Sequence, residues 1–272
     1  MRRLISYLSW CALLLSLSGC VLSKSTIAER TPELKYTTSD TVSLTVVDNR
    51  PYVLNGDKDE TFEGFQRAAY GIPLSITKLR DDNKVLYAAR FADIISHALS
   101  KSGSKVTIIA TNKSASVQDA IARLRTVPFT TGLVVNVLDS KIDAGGFRWS
   151  YYYDYEVLIV DAKGAIVSTK KYNGEDIDFQ REIYQAGRAK GKSYEWPAIL
   201  DIEYANRITA FLSDNDTAKA LGGIGPSIAT STTKSTSNDG AERLIALKAL
   251  LDKGVITPDD YEKKKAEILK SL

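Results

Sequence analysis

The chain has 272 residues, of which 44% are apolar, with a formal net charge of +3 and two cysteines. This length and apolar content suffice for one well-packed domain and an appendage. A net charge so close to zero excludes the strongly basic surface that nucleic-acid-binding proteins present to phosphates, and two cysteines exclude a disulfide framework.

The first residues have the layout of a secretory signal. Arg2 and Arg3 are followed by an apolar run over residues 4–17 and then by small residues. The run is interrupted by serines and is shorter than the roughly 20 residues needed to span a bilayer, which favours a cleaved leader over a membrane anchor. Removal of residues 1–19 takes away both arginines and Cys11, so the net charge falls from +3 to +1.

The leader closes with Leu17-Ser18-Gly19-Cys20, which resembles the lipobox of bacterial lipoproteins. The resemblance implies that Cys20 becomes the first residue, carries acyl chains such as palmitate and anchors the protein, since two or more chains bind a membrane stably. An acylated Cys20 excludes a thiol active site. Val21 stands where an aspartate would favour the inner membrane, so the resemblance implies the outer membrane with the folded part facing the periplasm. Exposure on the cell surface stays open.

Composition shifts divide the rest of the chain into four segments. Residues 20–41, rich in Ser, Thr and charge, predict a lipidated tether, and residues 42–221 predict a mixed α/β domain. Residues 222–240 combine glycines with a Ser/Thr tract, which is typical of a flexible linker. Residues 241–272 predict a helical hairpin.

Strands and helices alternate in the first half of the domain. Residues 41–47 alternate apolar and polar side chains, which predicts a half-buried strand. A helix is predicted from Asp82 or Asn83 to about residue 102. Its apolar face comprises Val85, Ala88, Phe91, Ala92, Ile95, Ala98 and Leu99. The next elements are a strand over 105–110 and a helix over 116–125 capped by Ser116.

Three strand patterns follow, over residues 132–140, 147–161 and 165–172. Glycine-containing turns join them, which predicts an antiparallel meander. Trp196-Pro197 then opens a helix to about residue 212, with Asp201 and Glu203 near its start. The predicted fold class is α+β: a mixed sheet in the order βαβα, then a three-strand meander and a helix, covered by helices and followed by a two-helix hairpin.

The C-terminal hairpin has well-marked ends. Gly254 ends its first helix, and Thr257-Pro258-Asp259-Asp260 starts the second. The apolar stripes consist of Leu244, Leu247, Leu251, Tyr261, Ile268 and Leu272. The run from Leu250 to Lys264 resembles the short C-terminal domain family found at the ends of many bacterial proteins.

So small a unit buries too little surface to be stable alone. Below about 40 residues, disulfides, metals or association are usually needed, and the sequence offers neither of the first two. The hairpin is therefore expected to mediate self-association or docking of a partner protein. The alternative is a hairpin that folds back on its own main domain.

Polar motifs in the main domain favour structural roles. His97 is the sole histidine and is interpreted as a helix-surface or core-edge residue, and Asp57, Asp59 and Glu63 as a solvated acidic loop, because Phe62 stands where a calcium loop needs glycine. Asp48 and Arg50 are expected to form an ion pair or turn hydrogen bonds at a strand end. The sequence predicts no metal site and no cofactor.

One strand carries an aromatic residue at every second position: Phe147, Trp149, Tyr151, Tyr153 and Tyr155. Such a stripe usually packs under helices. The alternative is an exposed aromatic platform that binds a glycan, such as peptidoglycan, or a partner protein.

The segments Phe62-x-Gly64-x-Gln66-Arg67 and Gly71-Ile72-Pro73 are loosely similar to uncharacterised envelope lipoproteins of Gram-negative bacteria. No spacing of carboxylates singles out an acid–base pair. The expected function is therefore non-enzymatic: a membrane-anchored lipoprotein that binds envelope proteins or self-associates, with no nucleic-acid partner. Binding of peptidoglycan or another glycan through the aromatic strand is the alternative.

Overall fold

The computed structural model describes residues 22–23, 27–80, 82–110, 113, 115–146, 148–224, 261–262 and 264–265. The chain divides into two compact units, Met1–Ile228 and Ala229–Leu272. Within the second unit the described residues, which include Tyr261, are helical. The other predicted hairpin residues lie outside the described residues: Leu244, Leu247, Leu251, Ile268 and Leu272.

The first unit contains nine strands and seven α-helices among its described residues. The strands are β1 (Leu22–Ser23), β2 (Thr41–Asp48), β3 (Gly64–Arg67), β4 (Pro73–Ser75), β5 (Lys105–Ile108), β6 (Thr131–Gly145), β7 (Arg148–Asp161), β8 (Ile166–Ile177) and β9 (Ser193–Tyr194). The helices are α1 (Ile27–Arg30), α2 (Pro51–Leu54), α3 (Tyr87–Lys101), α4 (Val117–Leu124), α5 (Phe179–Ala189), α6 (Trp196–Leu212) and α7 (Asn215–Ala220). Two 3-10 turns, Ala69–Gly71 and Ile76–Leu79, flank β4.

Seven of the strands form one mixed sheet around β6. On one side of β6, β2 pairs parallel with its first half and β3 parallel with its second half. On the other side β7 runs antiparallel along the whole strand, with a bulge between Val137 and Asp139. Outside these lie β5 parallel to β2, β4 antiparallel to β3, and β8 antiparallel to β7. The predicted meander is confirmed, and the mixed α+β class with it.

Both faces of the sheet are covered at β2. The main core fills the space between one face and α3, α5 and α6, and a smaller core lies under α4 on the other face. Val46 belongs to the first core and Val47 to the second. The prediction of a half-buried β2 is therefore wrong, because helices cover both sides of a parallel strand. Even Ser43 and Thr45 are fully buried.

Local signals set the ends of two of the three helices predicted in the main domain correctly. Ser116 caps α4 in a reciprocal pair with Asp119, as predicted, and Pro197 lies in the first turn of α6. The start of α3 at Asp82 or Asn83 is wrong, since the helix begins at Tyr87. Asp82 lies five residues before the helix and instead accepts a hydrogen bond of 2.7 Å from Arg90.

The segment predicted as a free tether packs against the body. β1 pairs parallel with β9, and the backbone of Thr37 exchanges hydrogen bonds with that of Ile224. Tyr36 and Thr38 are buried, and the Thr38 hydroxyl donates to the carbonyl oxygen of Leu221. The first residues of the predicted flexible linker, 222–224, are thus held as well. None of the helices in the described part of the chain is long and apolar enough to cross a bilayer.

Candidate functional site

A cleft of about 610 Å³ opens between the N-terminal segment and helices α5 and α6, and we call it the α5–α6 cleft. Thr31, Pro32 and Glu33 form one wall, the end of β8 and α5 supply a second, and α6 supplies the third. The charged side chains in its lining are Glu29, Glu33, Lys101, Asp176, Glu182, Lys190, Glu203 and Arg207. The cleft is therefore polar, with carboxylates in excess over cations.

A buried carboxyl group lies on the α6 wall of this cleft. Glu203 is 2% exposed, and its Oε1 lies 2.9 Å from Nε of Arg207, one helical turn further on. The Arg207 guanidinium also reaches Oδ2 of Asp176 at 2.8 Å, at the end of β8. It stacks over the ring of Tyr153, with 5.6 Å from Cζ to the ring centre.

Burial dominates the electrostatics of Glu203. Loss of solvation raises its pKa to about 8, although the Arg207 charge acts in the opposite direction. Asp176 adds a further upward effect, because a second negative charge nearby disfavours ionisation. The raised pKa favours the protonated form of Glu203, which can donate a hydrogen bond, whereas Arg207 keeps its charge.

Contacts with the rim hold the N-terminal segment in place. The Tyr194 hydroxyl donates to Oε1 of Glu29 at 3.0 Å, and Lys192 forms an ion pair with the same carboxylate. Arg30 lies 3.8 Å from Asp201 on α6. Chemically, the cleft can exchange hydrogen bonds and charge contacts with a polar or cationic ligand. No group of three or more His, Cys, Asp or Glu side chains that could hold a metal ion occurs in the described part of the chain.

Next to the cleft, a buried network of charges joins three segments. Arg80 contacts Glu63 at 2.8 Å and Asp201 at 3.0 Å, and the Tyr204 hydroxyl donates to Glu63 at 2.8 Å. The interpretation of Glu63 as part of a solvated loop is therefore wrong, because its carboxylate is 1% exposed and paired. Asp201 likewise belongs to this ion-pair network instead of stabilising the start of α6.

The aromatic strand divides between core and surface. Tyr151 and Tyr155 are fully buried, and their hydroxyls meet that of Tyr87 around the Ser140 hydroxyl, which lies 2.6 Å from Tyr87 and 2.9 Å from Tyr151. Burial holds the pKa of all three tyrosines above the ordinary value. A platform that uses Tyr151 and Tyr155 is thus wrong, since both side chains lie under α3 and α6.

The remaining members of the stripe are less enclosed. Trp149 is partly exposed and packs edge-to-face on Phe179, with ring centres 6.1 Å apart. Tyr153 is partly exposed and stacks at 5.8 Å on Tyr155. Phe147 lies outside the described residues.

Two other predictions are confirmed. His97 is exposed on α3, with Nδ1 2.8 Å from the carbonyl oxygen of Asp93. Arg50 and Asp48 form the expected ion pair at the end of β2, at 2.7 Å. Cys20, the predicted lipidation site, lies outside the described residues.

Sequence reasoning missed the Glu203–Arg207 pair as a site. A glutamate four residues before an arginine on one helix is a recognisable pairing signal. Nothing in the local sequence, however, indicates that Asp176 and Tyr153 converge on the same guanidinium.

Comparison with known proteins identifies the second unit. Residues 242–269 match the short C-terminal domain family. The prediction of that domain is confirmed, and it concerns the C-terminal segment alone. No curated protein matches the chain. Among solved structures, a hypothetical protein from Chlamydia trachomatis is similar at 13% identity over 65% of this chain and 96% of its own, with a TM-score of 0.32. A TM-score this low does not establish a shared fold.

Proposed function

We propose that this protein is a non-enzymatic lipoprotein of the bacterial cell envelope. Cys20 carries the lipid, the mixed domain stands at the membrane, and the short C-terminal domain binds partner proteins or further copies of the chain. The outer membrane, with the body facing the periplasm, is the proposed location. The observation that carries this proposal is the basic, apolar leader ending in Leu17-Ser18-Gly19-Cys20.

The chemistry of the described residues supports a binding role. The most deeply buried charges are engaged in internal ion pairs: Arg50 with Asp48, and Arg80 with Glu63 and Asp201. These pairs hold segments together. The α5–α6 cleft is large enough for a peptide side chain or a small polar ligand, and its acidic lining favours a cationic group.

Lipidation is tested by expressing the full chain in a Gram-negative host with a clickable fatty acid. We expect label on the wild-type chain, none on Cys20→Ser, and an acylated N-terminal peptide beginning at residue 20 by mass spectrometry. Cys11→Ser is the matched control and should label normally, because residue 11 leaves with the leader. Label on Cys20→Ser, or a mature chain that still contains residues 1–19, would contradict the proposal.

The role of the C-terminal domain is tested by mass in detergent. Light scattering on the purified lipidated chain should give an oligomer, or a complex with a copurifying protein, and a chain ending at Gly240 should be a partner-free monomer. A chain with Lys263→Ala and Lys264→Ala is the control for a mere change of charge. Equal masses and equal copurification for the full and shortened chains would refute an assembly role.

A further inference from the structure

A basic and aromatic surface lies along the exposed side of α5. Arg181, Tyr184, Gln185 and Arg188 recur at the three- and four-residue spacing of one helix face, and all four are exposed. Together with Gly146 and the partly exposed Trp149 they line a shallow depression of about 500 Å³. We call these residues the α5 face.

Positive charge predominates around the α5 face. Two of the nearby cations have a carboxylate close by: Arg181 lies 3.4 Å from Asp178, and Lys192 forms an ion pair with Glu29. Arg188 adds further positive charge, whereas Lys190 lines the α5–α6 cleft. Glu182, the sole carboxylate on α5, lines the α5–α6 cleft instead. The face therefore suits a negatively charged partner.

Its aromatic residues suit the boundary between water and lipid. Tryptophan and tyrosine combine an apolar ring with a polar atom and favour the headgroup layer of a membrane. The ring of Trp149 packs against Phe179. Tyr184 is 37% exposed to solvent. Arginine side chains extend beside such rings to reach phosphate groups.

The N-terminal segment brings the anchor to the same place. β1 pairs with β9 in the register Leu22 with Ser193 and Ser23 with Tyr194, and β9 begins four residues after α5 ends. Cys20 precedes Leu22 by two residues, which can span at most about 7 Å. Lipid on Cys20 would therefore hold the C-terminal end of α5 close to the bilayer. This step rests on the proposed lipidation.

We propose that the α5 face docks on the surface of an anionic phospholipid bilayer. Arg181 and Arg188 contact lipid phosphates, and Trp149 and Tyr184 lie in the headgroup layer. The domain thus has one fixed orientation on the membrane, with the turn between β7 and β8 pointing away. That turn is separated from Trp149 by twelve strand residues, or roughly 40 Å.

The test uses the full lipidated chain and one introduced thiol. Because acylation consumes Cys20, Gln185→Cys carries the only free thiol, and Lys163→Cys in the β7–β8 turn is the matched control. Each variant is labelled with a polarity-sensitive fluorophore and reconstituted in vesicles of phosphatidylcholine, with or without phosphatidylglycerol. We expect the probe at residue 185 to shift to the blue, and to be quenched by a lipid-bound quencher, when phosphatidylglycerol is present. The probe at residue 163 should do neither.

Charge variants in the Gln185→Cys background test the mechanism. A basic residue near an anionic surface changes binding about fivefold, so Arg181→Gln with Arg188→Gln should lower the ratio of docked to undocked protein about 30-fold. Arg123→Gln with Arg125→Gln removes the same charge from the exposed surface near α4, at the far end of the sheet, and should have no effect.

Flotation of the vesicles separates the two proposals. A chain that floats with vesicles, but whose probe at residue 185 responds no more than that at residue 163, overturns the orientation and leaves the anchor intact. An equal loss of docking by the variant with Arg123→Gln and Arg125→Gln also overturns the proposed orientation. A wild-type chain that does not float overturns the lipid anchor and the inference with it.

Discussion

Arg50 donates two parallel hydrogen bonds to Asp48, from Nε to Oδ1 and from Nη2 to Oδ2, each 2.7 Å long, and its side chain is wholly buried. The third nitrogen, Nη1, donates to the carbonyl oxygens of Phe62 and Ser140. The guanidinium carbon lies 4.3 Å from the ring centre of Tyr87. One residue thus links the end of β2, the loop before β3, the middle of β6 and α3.

Arg50→Leu should destabilise the domain by about 3–5 kcal/mol, because it leaves the Asp48 carboxylate buried without its partner. Urea unfolding of the full chain, followed by tryptophan fluorescence, measures the loss. Arg67→Leu is the matched control. Its ion pair with Asp143 is exposed and screened by water, so the loss should be much smaller than for Arg50→Leu. Similar losses for the two variants would show that burial does not decide the effect.

Gly64→Ala should separate β3 from β6. Gly64 has a φ of +143°, and a Cβ there would lie 2.1 Å from the carbonyl oxygen of Ile142. The strain and the clash together should cost about 3 kcal/mol or more. At Gly146, where φ is +52° and the space is open, Gly146→Ala meets only the strain and should cost about 1 kcal/mol. Thermal unfolding measures the fall in Tm for Gly64→Ala and for Gly146→Ala. Equal falls would contradict the clash at residue 64.

The parts of the fold that the sequence predicts are those coded by neighbouring residues. Ser116 and Asp119 cap α4 within four residues, and Pro197 marks the start of α6. The strands of the meander are separated by short turns, so their pairing follows from turn chemistry. By contrast, Arg80 and Asp201 are 121 residues apart, and no local pattern could pair them.

Elements that are missed or misassigned from the sequence share one physical cause, since distant contacts override local propensity. Helix α5 is not predicted from the sequence: it contains Gly187, which weakens a helical pattern, yet Gly187 is the residue that allows the Tyr194 ring to approach. The segment before β2 looks like a linker by composition, but Tyr36 finds a buried site against Gly223, near the other end of the unit. Contacts between residues so far apart along the chain cannot be inferred from composition.

Tyr36→Ala should release the N-terminal segment. Tyr36 is 5% exposed, so the cavity left by its ring should cost about 3–5 kcal/mol. Limited proteolysis with mass spectrometry should then show faster cleavage after Lys35. Tyr70→Ala is the control, because Tyr70 is fully exposed. This replacement should change neither the free energy of unfolding nor the rate of cleavage after Lys35. If Tyr36→Ala is cleaved no faster than wild type, the segment does not depend on this contact.

Glu203→Gln should flatten the dependence of stability on pH. Burial raises the pKa of Glu203 from 4.5 to about 8, so between these values the folded protein holds a proton that the unfolded chain has released. Stability therefore falls as pH rises through this window, by at most about 1.4 kcal/mol per pH unit, and the loss is complete above the folded pKa. The glutamine cannot titrate, so unfolding in urea at pH 6 and pH 9 should differ less for the variant than for wild type. Glu182→Gln alters an exposed carboxylate of the same cleft and serves as the control. If wild type and Glu203→Gln lose equal stability over this range, then Glu203 is ionised in the folded protein and the cleft carries one more negative charge at neutral pH.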